Sequence, residues 1–400
     1  MPYHNLHIID ISMRAPHPSS TLLEAFENQD EAFAPAFAIL QEAINQQAFP
    51  AASVAVTHGG SLVARKALGS VTPKAGAPSF SRSLRKGGDF DFVIAPATLF
   101  DLASLTKVVA TTTTAMLLYE RGLLDLEAPV SAIVPEFTAD PAKDSRRCEI
   151  TLRMLLAHSS GLPAHERFFL KARTRAELLQ AAFTTPLATN PATRFEYSDI
   201  GFIILGVALE RLADESLDRF GQREIFAPLS MTHTTFNPPL EIRAQIPPTA
   251  DDQTFRRRII QGEVQDENAS VLGGVAPHAG LFSTAEDLAK FAQVMLNQGS
   301  PILRPETIAL FTRREPAPSS TSRALGWDTP SASSQSGKYF SPQSFGHLGY
   351  TGTSLWIDPT RQLSITLLTN RTWPDCSNQA IKQARPKFHD AIIEALDKKN

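Results

Sequence analysis

The chain has only two cysteines, Cys148 and Cys376, far apart among 400 residues. Two distant thiols exclude a disulfide framework and a four-cysteine zinc site. Long apolar runs are missing as well. The best stretches, 108–118 and 202–209, are too short or are broken by threonines, against the ~20 residues that a spanning helix needs. There is no excess of positive charge. Lys and Arg number 38 against 41 Asp and Glu, a net charge of −3, so no bulk attraction to nucleic acid is expected. The start, Met1-Pro2-Tyr3-His4-Asn5-Leu6-His7, has no basic n-region and no long apolar h-region. A cytoplasmic location is therefore expected, or a periplasmic one if the true start lies upstream. His-Glu-x-x-His is absent and no close Cys/His cluster occurs, so neither a metal nor another cofactor is expected. Gly-x-Ser-x-Gly is absent too, which excludes the nucleophile-elbow route to ester chemistry. No internal repeat is visible.

What is present reads as globular, with 42% hydrophobic and 20% charged residues in one large domain or two intimate ones. Residues 1–34 form an irregular lead-in. Apolar spacing predicts a helix at 35–47. Two β-rich runs, 52–57 and 61–68, flank His58-Gly59-Gly60 as a hairpin. Residues 70–90 read as an exposed loop. Helices are predicted at 104–121, 152–158, 175–183 and 200–213, followed by irregular chain at 236–270. Ser283-Thr284-Ala285-Glu286 is a capping-box pattern opening another helix. A second hairpin brackets Asp358-Pro359-Thr360-Arg361, and a last amphipathic helix covers 378–396. Strands at both ends and helices between them suggest one sheet built from both ends of the chain. The boundaries read as an α/β domain from 35–103 and 275–400, with a mainly helical domain at 104–274.

Three short segments carry chemistry. In Phe100-Asp101-Leu102-Ala103-Ser104-Leu105-Thr106-Lys107, a serine and a lysine three apart share one face of a helix start. A serine hydroxyl needs a neighbouring base, and a lysine can be that base if its surroundings depress its pKa. The spacing also occurs by chance. Ser83-Leu84-Arg85-Lys86 repeats it in the 70–90 loop, where no helix aligns the pair. The second segment is Phe195-Glu196-Tyr197-Ser198-Asp199, a tyrosine entering a helix. The third is Gly346-His347-Leu348-Gly349-Tyr350-Thr351-Gly352-Thr353-Ser354, whose glycines let a ligand or another backbone approach a strand. Each alone has an ordinary reading: a capped helix with a solvated lysine, a packing tyrosine, a structural histidine. His158 and His278 read as braces around a cleft.

In this order the three segments resemble the serine β-lactamase and penicillin-binding-protein-like superfamily, closest to its class C-like branch of esterases and D-aminopeptidases. Ser104-Leu105-Thr106-Lys107 matches Ser-x-x-Lys, Tyr197-Ser198-Asp199 matches Tyr-x-Asn, and His347-Leu348-Gly349 stands where Lys-Thr-Gly lies. The segments 155–162, 273–284 and 367–371 look similar as well. The resemblance implies an α+β fold: an antiparallel sheet flanked by N- and C-terminal helices, plus an inserted all-α domain. It implies an acyl-enzyme on Ser104, with Lys107 and Tyr197 relaying its proton and either one as the formal base. It implies an oxyanion hole from the N–H groups of Ser104 and Tyr350, and substrate contacts at Asp199, His347, Gly349 and Thr351. Asp199 replaces an asparagine and His347 a lysine. Both changes remove positive character, so esters or amides with neutral acyl groups are expected over β-lactams. The expected partner is a small ester, amide or peptide-like molecule. A β-lactamase, DD-peptidase or D-aminopeptidase proper, and a catalytically silent binder of peptidoglycan-like ligands, are the alternatives.

Overall fold

The computed structural model describes residues 22–71, 92–138, 144–319 and 321–398. Most of the lead-in, nearly all of the 70–90 loop, and the second Ser-x-x-Lys copy at Ser83 and Lys86 lie outside them.

Alternating or fully apolar runs rich in Val, Ile, Leu and Ala build one seven-stranded sheet. Its order is Leu23–Glu24, Ser61–Val71, Ala51–His58, Leu363–Thr369, Ser354–Asp358, Phe345–Leu348, with Phe92–Val93 also pairing Ser61–Val71. All pairings are antiparallel except that of Leu23–Glu24, which runs parallel to Ser61–Val71. The two ends of the chain meet at the centre, where Leu363 faces His58 and Thr369 faces Ala52. Helices Ala34–Asn45 and Ile381–Asp397 pack on each other and cover one face. Helix Ala285–Leu296 covers the other face and joins it to the helical part of the core. Covered on both faces, the central strands have no need of polar alternation, and Ala51–Thr57 and Leu363–Thr369 are buried throughout. Trp356 and Trp327 are fully buried.

The middle of the chain folds as helices, chiefly Thr113–Glu120, Leu152–Leu156, Arg175–Thr184 and Asp199–Ala213. Asp199–Ala213 is apolar nearly all round and buried from Ile200 to Leu209, as a central helix must be. Two readings of the sequence shift. The 236–270 segment contains a ribbon, Pro248–Asp252 paired with Arg258–Gln261. Its prolines and charged residues hid the period-two pattern that marks strands. The cap of helix Ala285–Leu296 is Thr284 rather than Ser283, with Thr284 Oγ1 accepting from the Asp287 N–H at 3.2 Å. Ser283 belongs instead to a small strand, Leu281–Ser283, that pairs with Phe100–Asp101 and Thr235–Phe236. That small sheet delivers the chain to Ser104.

Candidate active site

Phe100–Asp101 runs straight into a 3₁₀ turn at Ala103–Leu105. Ala103 sits at φ +47°, a left-handed conformation that an alanine adopts only when its surroundings impose it. The single helix expected at 104–121 is three pieces: this turn, a π-helical stretch Lys107–Thr112, and the α-helix Thr113–Glu120. The wider turn is braced by Thr113 Oγ1 donating to the Val108 carbonyl at 2.9 Å, and by Thr111 Oγ1 donating to that of Pro277 at 2.6 Å. Hydroxyls that compete for backbone carbonyls loosen the α-helical ladder in this way.

Lys107 is fully buried. Its Nζ lies 3.2 Å from Ser104 Oγ, 2.6 Å from Asp199 Oδ1 and 3.0 Å from the His278 carbonyl oxygen. It also stands 4.8 Å from the centre of the Tyr197 ring. Lys107 and Ser104 both bear on the Tyr197 phenol and favour its ionised form. The structure thus brings Ser104, Lys107, Tyr197 and Asp199 together, although the chain separates Lys107 and Asp199 by 92 residues.

Local capping explains how Tyr197 is held. Ser198 caps helix Asp199–Ala213 by accepting from the Gly201 N–H at 3.0 Å, and donates to the Pro163 carbonyl at 2.7 Å. His158 grips the residues on either side of Tyr197. Its carbonyl accepts from the Glu196 N–H at 2.9 Å and its Nδ1 from the Ser198 N–H at 3.0 Å. The His158 ring lies 4.7 Å from the Tyr197 ring. His347, on strand Phe345–Leu348, flanks that ring from another direction at 5.9 Å and donates from Nδ1 to its neighbour's carbonyl, Leu348 O, at 2.8 Å.

Charge is arranged around these groups. Burial pulls the Lys107 ammonium toward neutrality, but the charge of Asp199, with hydrogen bonds, outweighs it, so Lys107 is held above the usual lysine range. Burial opposes ionisation of Asp199 too, yet Lys107 and His165 keep its carboxyl well below the ordinary range. Burial pushes the Tyr197 phenol up, partly offset by Lys107. Burial, with Arg323 and Lys107 nearby, holds both His158 and His347 neutral, well below the ordinary histidine value. The resting site is thus a charged Lys107–Asp199 pair beside neutral Tyr197 and His347.

That pairing has a testable pH signature. A depressed Asp199 contributes stability above about pH 4, lost as pH falls through its lowered value; a raised Lys107 contributes below about pH 10, lost above its raised value. Asp199→Asn removes the carboxylate and leaves Lys107 buried without it. Wild type melts higher than the variant at pH 7, and the gap narrows as pH drops from 4 to 2.5. Melting curves of both proteins over this range check it; a constant gap would contradict the pairing.

The remaining expected residues fall around the cavity, whose volume is about 770 Å³. Ser104, Tyr197, Asp199, His347, Gly349 and Tyr350 line it. Lys107 and Thr351 stand behind its wall, both fully buried. Thr351, expected to touch substrate, instead donates its hydroxyl to the Asp101 carbonyl at 2.8 Å. A side chain at Gly349 would strike the Leu102 carbonyl oxygen at 2.5 Å, so the two backbones meet there because glycine allows it. Among the described residues, neither the Ser104 nor the Tyr350 N–H donates to a protein acceptor.

Two buried arginines on the cavity wall were not singled out in the sequence. Arg371 Nε donates to the Tyr350 carbonyl at 2.6 Å, and Arg371 lies 4.4 Å above the Tyr350 ring. Arg385, buried on helix Ile381–Asp397, donates to Gln335 Oε1 at 2.6 Å. Burial, with Arg371 adding to it, pushes Arg385 down to about 9. Neither has a carboxylate in ion-pair reach among the described residues. Arg371 ends the 367–371 segment quoted above, so it had a signal; Arg385 sits in an ordinary amphipathic helix and had none.

The fold and this geometry can be set beside known proteins. The chain is 34% identical over 354 residues to the N-acetylmuramyl-L-alanine amidase of Bacillus subtilis (strain 168), covering 81% of this chain and 77% of that one. It is 31% identical over 352 residues to a putative D-alanyl-D-alanine carboxypeptidase of Escherichia coli (strain K12), covering 81% and 79%. Among solved structures, EstCE1, described as a hydrolase with promiscuous acyltransferase activity, superposes with a TM-score of 0.69 at 20% identity, over 91% of this chain and 99% of the other; at that identity it speaks for the fold alone. The beta-lactamase family matches residues 36–385, a span that holds every motif segment above. The chain belongs to the beta-lactamase family of serine hydrolases.

Proposed function

We propose that this protein hydrolyses an amide bond in a small peptide or glycopeptide through an acyl-enzyme on Ser104. One observation carries the reading: behind a cavity wall that holds Ser104 and Tyr197, a buried Lys107 lies 3.2 Å from the Ser104 hydroxyl and 4.8 Å from the centre of the Tyr197 ring. In the acylation step, Tyr197 gives its phenol proton toward the departing nitrogen, and its oxygen, negative as that proton leaves, takes the Ser104 proton while Ser104 Oγ bonds to the carbonyl carbon. The C–N bond then breaks and the protonated nitrogen leaves as an amine. Lys107, kept charged by Asp199, stabilises the negative character that grows on the phenol oxygen. The N–H groups of Ser104 and Tyr350 receive the oxyanion. Water then reverses the relay and releases the acid.

The substrate class draws on both the relatives and the cavity. The relatives' names specify an amidase and a carboxypeptidase. The cavity carries charges of both signs, with Asp266 and Glu267 near Asp199, and with Arg323, Arg371 and Arg385 on its wall. His347 lacks the lysine's charge, but the arginines compensate, so an anionic group on the substrate has a place. A neutral short-chain ester is the second reading, favoured by His347 being uncharged.

A panel tests the choice: N-acylmuramyl-L-alanyl peptides, D-alanyl-D-alanine peptides, a p-nitrophenyl ester and a chromogenic cephalosporin, compared by kcat/KM. The muramyl or D-alanyl amide is turned over fastest per unit of intrinsic reactivity. Cephalosporin turnover above both amides would overturn the proposal.

A further inference from the structure

The two oxyanion donors come from segments far apart in the chain, and their spacing has to be set by something. Two side chains span the gap, and a third braces the Ser104 side of it. Thr351 Oγ1 donates to the Asp101 carbonyl at 2.8 Å, and Thr353 Oγ1 donates to the Leu102 carbonyl at 2.9 Å. The Asp101 carboxylate accepts from the Ala103 N–H at 2.8 Å through one oxygen and from the Gln265 N–H at 2.6 Å through the other. All three residues are buried. Each side of the gap is also anchored behind. The Thr351 carbonyl accepts from Thr369 Oγ1 at 2.8 Å and from the Arg371 N–H at 2.9 Å. The Leu102 N–H donates to the Leu281 carbonyl at 2.9 Å.

We infer that Asp101, Thr351 and Thr353 are positioning residues that clamp the strained turn at Ala103 and Ser104 against the Gly349–Thr353 loop, and so fix the distance between the two oxyanion N–H groups. The inference rests on Ser104 being the nucleophile. Ala103 N–H is the group that Asp101 holds, and Ala103 is the residue with φ +47°. A carboxylate that accepts from this N–H at the strained residue stabilises a conformation the turn would otherwise leave. None of the three hydroxyl or carboxylate groups need touch substrate; they act through Ser104 and Tyr350.

Asp101 adds a pH dependence. Burial raises its carboxyl to about 6; the N–H groups of Ala103 and Gln265 and the charge of Arg256 pull down, and Asp266 pushes up. Protonation turns one acceptor into a donor that faces an N–H, and the clamp loosens on the acid side of that value.

The test combines Thr351→Val, Thr353→Val, Thr351→Ser and Asp101→Asn in the full chain, with kcat, KM, fluorophosphonate labelling rate and melting temperature read for each. The two valine changes together lower kcat by about 10²-fold with KM nearly unchanged, the size of a misplaced oxyanion donor. Thr351→Ser, which keeps the hydroxyl, restores kcat in the Thr351 series. Asp101→Asn removes the acid limb near pH 6 from the kcat profile. Folded valine variants with wild-type kcat, or an Asp101→Asn profile with the same acid limb, overturn the clamp. Ser104→Ala run beside them separates the two ideas. If it keeps turnover, the nucleophile assignment fails; if it is dead while the valine variants are normal, only the clamp fails.

Discussion

Ser104→Ala lowers kcat by about 10⁶, the size seen when a nucleophile that works as a unit with its proton relay is removed. Every step of the proposed cycle passes through Ser104 Oγ, so no partial route remains except binding and the oxyanion donors. The cavity keeps its shape, because Ser104 is partly open to it and its hydroxyl serves no backbone cap. Two measurements belong together here. Turnover on the best amide of the panel must vanish while the melting temperature stays within a degree or two. Intact-mass analysis after fluorophosphonate treatment must show one adduct on wild type and none on the variant. An adduct on Ser104→Ala, or turnover within tenfold of wild type, would place the chemistry elsewhere.

Lys107→Met has the second-largest effect, and it is two-sided. The ammonium that supports the Tyr197 oxygen disappears, so kcat drops by about 10³, in the middle of the range for losing one acid–base or electrostatic partner. Stability drops as well. Asp199, little exposed and ionised against Lys107, loses its counter-charge, and breaking a buried pair from one side costs about 3–5 kcal/mol. The double variant Lys107→Met/Asp199→Asn separates the effects, because it removes both charges. Thermal stability returns most of the way, and kcat does not. Should the double variant recover activity together with stability, Lys107 would be a structural charge and not part of the reaction.

The fold class was legible in the sequence, and so were the segments that the fold brings to one cavity. Ser104, Lys107 and Tyr197 announce themselves because each sits beside a helix start with its own spacing, and the order of three motifs narrows the alternatives sharply. The hairpin at His58-Gly59-Gly60 and the central helix 199–213 were readable from turn glycines and from continuous apolar sequence. The misses have physical causes. Asp101 reads as one more polar residue before a turn; that its two oxygens serve Ala103 and Gln265 depends on a loop 164 residues away. Thr351 looks like a lining residue because a hydroxyl near a glycine-rich strand end suits a ligand, whereas its partner is a backbone carbonyl 250 residues earlier. Whether Asp199 meets Lys107 was open in the sequence, since both charges had other options. The 2.6 Å contact pairs the two, and of the two open choices for the base it speaks against the lysine, which rests as a cation.

The sheet order carries a consequence for how the protein is made. At Thr57 and Ser364, the central pairing joins residues 307 apart. During translation, Ala51–His58 gains its hairpin neighbour at once, but its other edge waits for Leu363–Thr369. At roughly 5–20 residues per second that wait lasts about 15–60 s. Through it, an apolar strand with unpaired N–H and C=O groups stays open to any other nascent chain. The helices made in the interval can pack, yet Ser104 emerges early and finds Tyr350 only when the final strands arrive. Termination after the first hairpin but before residue 350 therefore releases fragments that keep this edge open and lack Tyr350.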